Sequence, residues 1–363
     1  MLFIPFLFYA FYSLFVFRTI QPEHPPTFPH CFNCVIFING EIRTIFWVMA
    51  KLSVDTFVFL CYFTYVMEKY IITTDMTADV PHQMLETEKD FYVLDMSYVL
   101  DGELYDGKTN PYLSVKDFYD KLAEGKMSST SMVTVDEAKE FFAPFLEKGQ
   151  DVLHIGFSSA LSGCYNSYVS ASKELAEEYP NNRVVVIDSL CASSGEAILC
   201  YYALRRRDEG MSIDDNAEYC TQLRDHVGHV FTVDDMNHLY RGGRVSKGKA
   251  VVGQALKMKP VLTVSPDGKL VHTDTKMGRK IALRSLVEKM DARLTDEYPN
   301  ELFIIGSCDA MEDAESLKAM VLAKHPDANI MFADVTPIVG THLGKGGITL
   351  LYLCSDKTPF KSL

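Results

Sequence analysis

The chain has 363 residues and is 48% hydrophobic, so it can bury at least one full core, its length suggests two domains or slightly more, and disorder is not its default state. Its net charge of −13 lies wholly beyond residue 66, because Arg18, Arg43 and Lys51 balance Glu23, Glu41 and Asp55 before that point. A surface that acidic repels phosphate backbones and anionic headgroups, which argues against nucleic-acid binding and electrostatic docking on a bilayer and leaves room for a basic partner protein.

Residues 2–17 are almost wholly apolar and aromatic, and residues 44–66 are apolar apart from Lys51 and Asp55. Taken literally, these are one or two membrane segments. The first lacks a basic lead and a small-residue cleavage site, however, the second carries two charges, and Pro-rich residues 22–29 divide them. Two other readings stand beside a membrane anchor. Translation can begin at Met67, where MEKYIITTDMTADVP has the form of a complete protein start, or residues 1–66 can be an ordered soluble extension. Membrane contact through residues 1–66 is therefore open, and the chain divides into that hydrophobic extension and a functional part, 67–363. Cys31 and Cys34, beside His30, have a zinc-like gap, but no second pair follows at finger spacing and no metal site is expected. Cys164, Cys191, Cys200, Cys220, Cys308 and Cys354 are scattered without paired spacing and read as reduced, buried thiols of a cytoplasmic protein.

From residue 67 onward, short apolar runs at 70–73, 91–96, 151–155, 183–187, 227–233, 302–305 and 330–334 alternate with helical stretches, the mark of an α/β fold. One helix spans 135–148, with Thr134 as its cap and Gly149 as its stop; others span 163–179, closed by Pro180, and 213–226. A further helix is expected at 250–257, then a hairpin turning at Pro266, Asp267 and Gly268. A boundary between lobes falls near 145–150 or 207–212.

Four segments carry candidate chemistry. Ser128, Ser129, Thr130 and Ser131 follow the flexible Gly125 as a loop, which either offers hydroxyls and helix N–H groups to an anion or simply caps the next helix. His154 to Ser167 leaves a strand and opens a helix, with hydroxyls at Ser158, Ser159 and Ser162 and close approach permitted at Gly163; two hydroxyl loops at strand ends suggest one shared pocket. A serine-dependent acyl-ester hydrolase is the rival, through Ser158 or Ser162, yet GFSSA lacks the closing glycine of the nucleophile elbow. Arg241, Arg244, Lys247 and Lys249 share a glycine-bearing loop that either faces an acidic partner or is merely solvated. His342 sits in a Gly-rich loop between apolar runs, where it either donates to a carboxylate or is satisfied by backbone.

In order and spacing, YIITTDMTADVP, DGELYDG, SSTSM, FSSALSGCYNS, VIDSL, LYRGGRVSKGKAVVGQALKMKPVL, GRKIAL and GTHLGKGG make the chain from about 67 to 353 resemble the DegV family, fatty-acid-binding proteins also called FakB. The resemblance implies two α/β lobes with a long-chain fatty acid in the slot between them and no cofactor. It implies that Thr130, Ser162 and His342 hold the carboxylate, with Ser131 and Gly163 beside them. It also implies that the protein presents its fatty acid to a separate fatty-acid kinase subunit, which Arg241 and Arg244 are expected to meet, and performs no chemistry itself. Two positions depart from the family pattern: Met132-Val133 stands where Gln-Pro is frequent, and Met277 where an arginine often precedes Gly278.

Overall fold

The computed structural model describes residues 70–245 and 257–359, together with the backbone of three earlier strands. Those strands, β1 (Cys31–Ile38), β2 (Glu41–Ser53) and β3 (Thr56–Phe63), form an antiparallel sheet in the order β1-β2-β3. The apolar stretch 44–66 is thus largely strand, and no helix among the described residues is long and apolar enough to cross a membrane. Residues 2–17, His30, the start at Met67, Lys247, Lys249 and all but the last residue of the helix expected at 250–257 lie outside the described residues. Glu68–Leu363 is one compact unit, and Met1–Met67 is another.

The larger unit begins with β4 (Ile71–Asp75), α1 (His82–Thr87) and β5 (Phe91–Leu94). A small antiparallel sheet follows, made of β6 (Tyr98–Leu100), β7 (Glu103–Tyr105) and β8 (Ser128–Thr130), with α2 (Val115–Ala123) between the last two. Next come α3 (Val135–Leu146), β9 (Val152–Gly156), α4 (Cys164–Glu178), β10 (Val184–Asp188) and α5 (Ser194–Asp208). Strands β10-β9-β4-β5 make a parallel sheet in that order. Every residue of β4 and β9 is buried, as expected of central parallel strands covered on both faces. The N-terminus of α3 is held by a capping box, in which Thr134 Oγ1 accepts from the Glu137 amide while the Glu137 carboxylate accepts from the Thr134 amide.

After α6 (Ile213–Leu223), which packs against β10 and α5, the second lobe contains β11 (Val227–Thr232), α7 (Asn237–Arg241), β12 (Met258–Val264), β13 (Leu270–Met277) and α8 (Arg279–Asp291). It ends with β14 (Phe303–Ser307), α9 (Met311–Lys324), β15 (Ile330–Asp334), α10 (Pro337–Leu343) and β16 (Ile348–Leu353). Its mixed sheet runs β13-β12-β11-β16-β14-β15, parallel only between β14 and β15. The β12–β13 hairpin turns through the expected Asp267-Gly268, with Gly268 at φ 75°.

Each of the seven apolar runs read from the sequence is a strand, β4, β5, β9, β10, β11, β14 and β15 in turn. Because β9 shares a sheet with β4, residues 145–150 lie inside the first lobe. The two sheets are separated by residues 189–226, an interval that contains the other expected boundary, 207–212. That interval holds α5, whose residues from Ser194 to Leu204 are all buried. It packs against β4 and β9 on one side and β11, β14 and β16 on the other, which explains why it shows no amphipathic stripe.

Candidate functional site

Two of the expected loops turn out to be regular structure. Ser128 to Thr130 is the edge strand β8, paired to β6 with Thr130 opposite Tyr98, and His342 lies in the last turn of α10. Each correction has its own cause. Polar hydroxyl residues mark an edge strand as readily as a loop, and a glycine within a seven-residue helix hides its period. The result is that β8 of the first lobe and α10 of the second face each other: the Ser128 and Thr341 hydroxyls are 2.7 Å apart, and Thr130 Oγ1 is 3.1 Å from His342 Nε2.

Thr130 and His342 stand on the wall of a pocket between the lobes, which encloses about 760 Å³ of empty space counting its open mouth. Ser131, Met132, Ser162 and Arg244 line it as well, and its interior is walled by apolar side chains such as Met96, Phe231, Leu239 and Leu270. Ser162 turns its hydroxyl to Cys164 Sγ, 3.1 Å away, so it lines the pocket without meeting the Thr130–His342 pair. Gly163 is at the N-terminus of α4 and is not on the wall; a Cβ there would come within 2.6 Å of Met132 Sδ.

Ser158 is fully buried, donating to the Gly268 carbonyl at 2.9 Å and accepting from the Ala160 amide. That hydroxyl has no exposed face and, among the described residues, is hydrogen-bonded to no base that could activate it.

The two arginines are separated. Arg241 is exposed, with its guanidinium 3.1 Å from His238 Nδ1, and lines an outer recess with Lys126 and Ser129 that Thr130, His342 and Arg244 also border. Arg244 points inward instead, its guanidinium donating to the carbonyls of Leu161 at 3.2 Å and Gly242 at 2.6 Å while lining the pocket. Charge at the mouth therefore comes from Arg244. Burial, and then the positive charge of Arg244, hold the His342 imidazole down at about 4, so it is neutral at pH 7 and can donate only through one nitrogen. Sequence reasoning placed Arg244 on the partner face because a basic residue on a glycine loop carries no sign of which way it points.

Beneath the pocket lie three fully buried carboxyls, Asp75, Asp79 and Glu196. Thr77 and Ser193 line the pocket, yet each gives its hydroxyl to one of these acids: Thr77 to Asp75, and Ser193 to Asp79 at 2.5 Å. Both hydroxyls are thus engaged with the buried acids. Asp79 also accepts from the Thr336 amide at 2.7 Å, immediately ahead of α10, and burial pushes its carboxyl up to about 7. Among the described residues, no group of His, Cys, Asp or Glu is arranged to hold a metal ion.

The arrangement can accept one anionic group at a mouth built from a guanidinium, an imidazole and hydroxyls, with an apolar cavity behind it. The family described as uncharacterised protein, DegV family, matches residues 69–354. A DegV domain-containing protein of Clostridium perfringens is 36% identical over 293 residues, covering 81% of this chain and 100% of the relative. Among solved structures, a fatty-acid-binding DegV family protein of Streptococcus agalactiae is 27% identical with a TM-score of 0.69, covering 79% of this chain and 99% of that one. A DegV lipid-binding protein of Thermotoga maritima is 25% identical with a TM-score of 0.68, covering 80% of this chain and all of its own. With its family matched across residues 69–354 and its two lobes arranged as in these structures, this chain belongs to the DegV family.

Proposed function

We propose that the protein binds a long-chain fatty acid, with the carboxylate at the Thr130–His342 pair and Arg244, and presents it to a fatty-acid kinase without catalysing a reaction of its own. The observation that carries the reading is the pairing of Thr130 with His342 across the two lobes, beside the inward guanidinium of Arg244, at the mouth of an apolar pocket. A buried carboxylate needs several charge-assisted hydrogen bonds to offset its desolvation, whereas an acyl chain needs only an apolar wall that gains ~0.8 kcal/mol for each CH₂ it covers. The fatty-acid-binding description of the Streptococcus agalactiae relative supports the same ligand class. Ser131 and Ser162 complete the polar rim, and Gly163 leaves room for the Met132 side chain. Arg241, exposed next to the mouth, is the residue assigned to the kinase. Among the described residues, six free, buried cysteines suit a reducing, cytoplasmic compartment.

Mass spectrometry of lipid released from the purified protein tests this reading. A long-chain fatty acid at close to one per chain is expected; protein that carries no lipid and ignores added stearic acid would overturn it.

A further inference from the structure

Two adjacent glycines follow Arg241, and they are glycine for different reasons. Gly243 has φ 72° and open space within 4 Å of where a Cβ would stand, so its backbone conformation is what excludes other residues. Gly242 has φ −70° and ψ −12°, a helical conformation open to any residue, and alanine would favour it. Space is the constraint there. A Cβ on Gly242 would lie 2.1 Å from His342 Nδ1, 2.9 Å from Cε1 and 3.3 Å from Cγ. His342 Nδ1 is buried and has no hydrogen-bond partner among the described residues, so nothing polar holds that edge of the ring. The opposite edge is the one 3.1 Å from Thr130 Oγ1. The Gly242 carbonyl, meanwhile, accepts the Arg244 guanidinium.

We propose that Gly242 is a positioning residue, the bare backbone against which the His342 imidazole is seated so that its Nε2 meets Thr130. Any side chain at 242 displaces the ring by roughly 1 Å or more, beyond hydrogen-bond reach of Thr130. The short helix α7 and the glycine after it thereby set the geometry of a residue 100 positions further along the chain, on α10. The binding arm of the test rests on the fatty-acid reading above; the imidazole arm does not.

The test is a double-mutant cycle of Gly242→Ala and His342→Ala, read by stearic acid titration of delipidated protein and by the imidazole ¹⁵N resonances of His342 without ligand. Gly242→Ala should weaken stearate binding about 10-fold in the presence of His342 and have no effect in its absence. The His342 ring, which faces Arg244 and His238 and stays neutral down to about pH 4, should titrate nearer the ordinary histidine range once displaced. Should Gly242→Ala lower the melting temperature, His342→Ala in the same chain should restore it by vacating the space. The proposal is overturned if Gly242→Ala leaves the His342 titration unchanged, or if it weakens stearate binding equally in both backgrounds. If stearate fails to bind even the unaltered protein, the fatty-acid reading falls while the imidazole titration still decides the role of Gly242.

Discussion

Among individual side chains, the proposed fatty-acid site gives Arg244 and His342 different parts at the pocket mouth: Arg244 would supply charge, and the neutral imidazole one directed hydrogen bond. Losing a hydrogen bond to a buried carboxylate costs ~1.5–3 kcal/mol, so Arg244→Ala or His342→Ala should each weaken fatty-acid binding by roughly 10-fold to 150-fold in a calorimetric titration. Arg241→Ala should leave that affinity unchanged and slow association with the kinase, most visibly at low salt. Equal lipid loss from both arginine variants would contradict the division. Asp79 carries a separate expectation. Its native carboxyl titrates at about 7 against an ordinary value of 3.8, so between those values the folded protein holds a proton that the unfolded chain releases. Its contribution is full below the ordinary value and is lost as pH rises through about 7. The buried histidines act in the opposite sense, since His154 and His229 are held at about 3 and His342 at about 4 and stability falls as pH drops below their ordinary range. Asp79→Asn isolates the carboxyl, mimicking its protonated form, and its melting temperature relative to the unaltered protein should rise from 3.8 to about 7 on the pH scale and level off above. A pH-independent difference would show that Asp79 is not the titrating group.

Among the elements, α3 and α10 illustrate opposite sources of order. Helix α3 is specified locally: Thr134 and Glu137 satisfy one another's backbone donors, and Phe142, Phe145 and Leu146 face the core. Thr134→Ala should cost ~1 kcal/mol, lowering the thermal midpoint by about 2 °C in a scanning calorimetry trace; no change would mean the cap is idle. Helix α10 is specified by distant partners. The Thr336 amide ahead of it is held by Asp79, Tyr119 donates to the Val335 carbonyl at 2.8 Å, and Lys345 just beyond it pairs with Asp120 and Asp309 at 2.6 and 2.8 Å. The contacts with Asp79, Tyr119 and Asp120 tie the His342 helix to the first lobe, Asp309 anchors Lys345 within the second, and together they explain how a seven-residue helix can hold His342 in place.

For the molecule as a whole, two sheets share α5 as a common buried helix, and the pocket lies where the lobes meet. The family match begins at residue 69, and Glu68–Leu363 is a compact unit of its own. Protein starting at Met67 should therefore fold with an unchanged melting temperature and bind stearic acid with full affinity. A truncated chain that aggregates or loses the ligand would instead assign residues 1–66 a part in folding.

The order of apolar runs and caps was enough to determine the α/β class and the strands of both sheets apart from β12, β13 and β16, which were read only as a hairpin and an apolar run, because period, capping and turn chemistry act over a few residues; that Thr130, Ser131, Ser162 and His342 share one pocket wall was implied only by the resemblance to the DegV family. The three short strands of the small sheet and the buried helix α5 left no such signal: a three-residue strand has too little period to read, and a helix buried on every side has no polar face. Which way Arg244 points, the capture of the Ser162 hydroxyl by Cys164 and the seating of His342 against Gly242 were decided only by tertiary structure. Each depends on contacts between residues far apart in the chain or on different elements, and a side chain's direction is set by what packs against it.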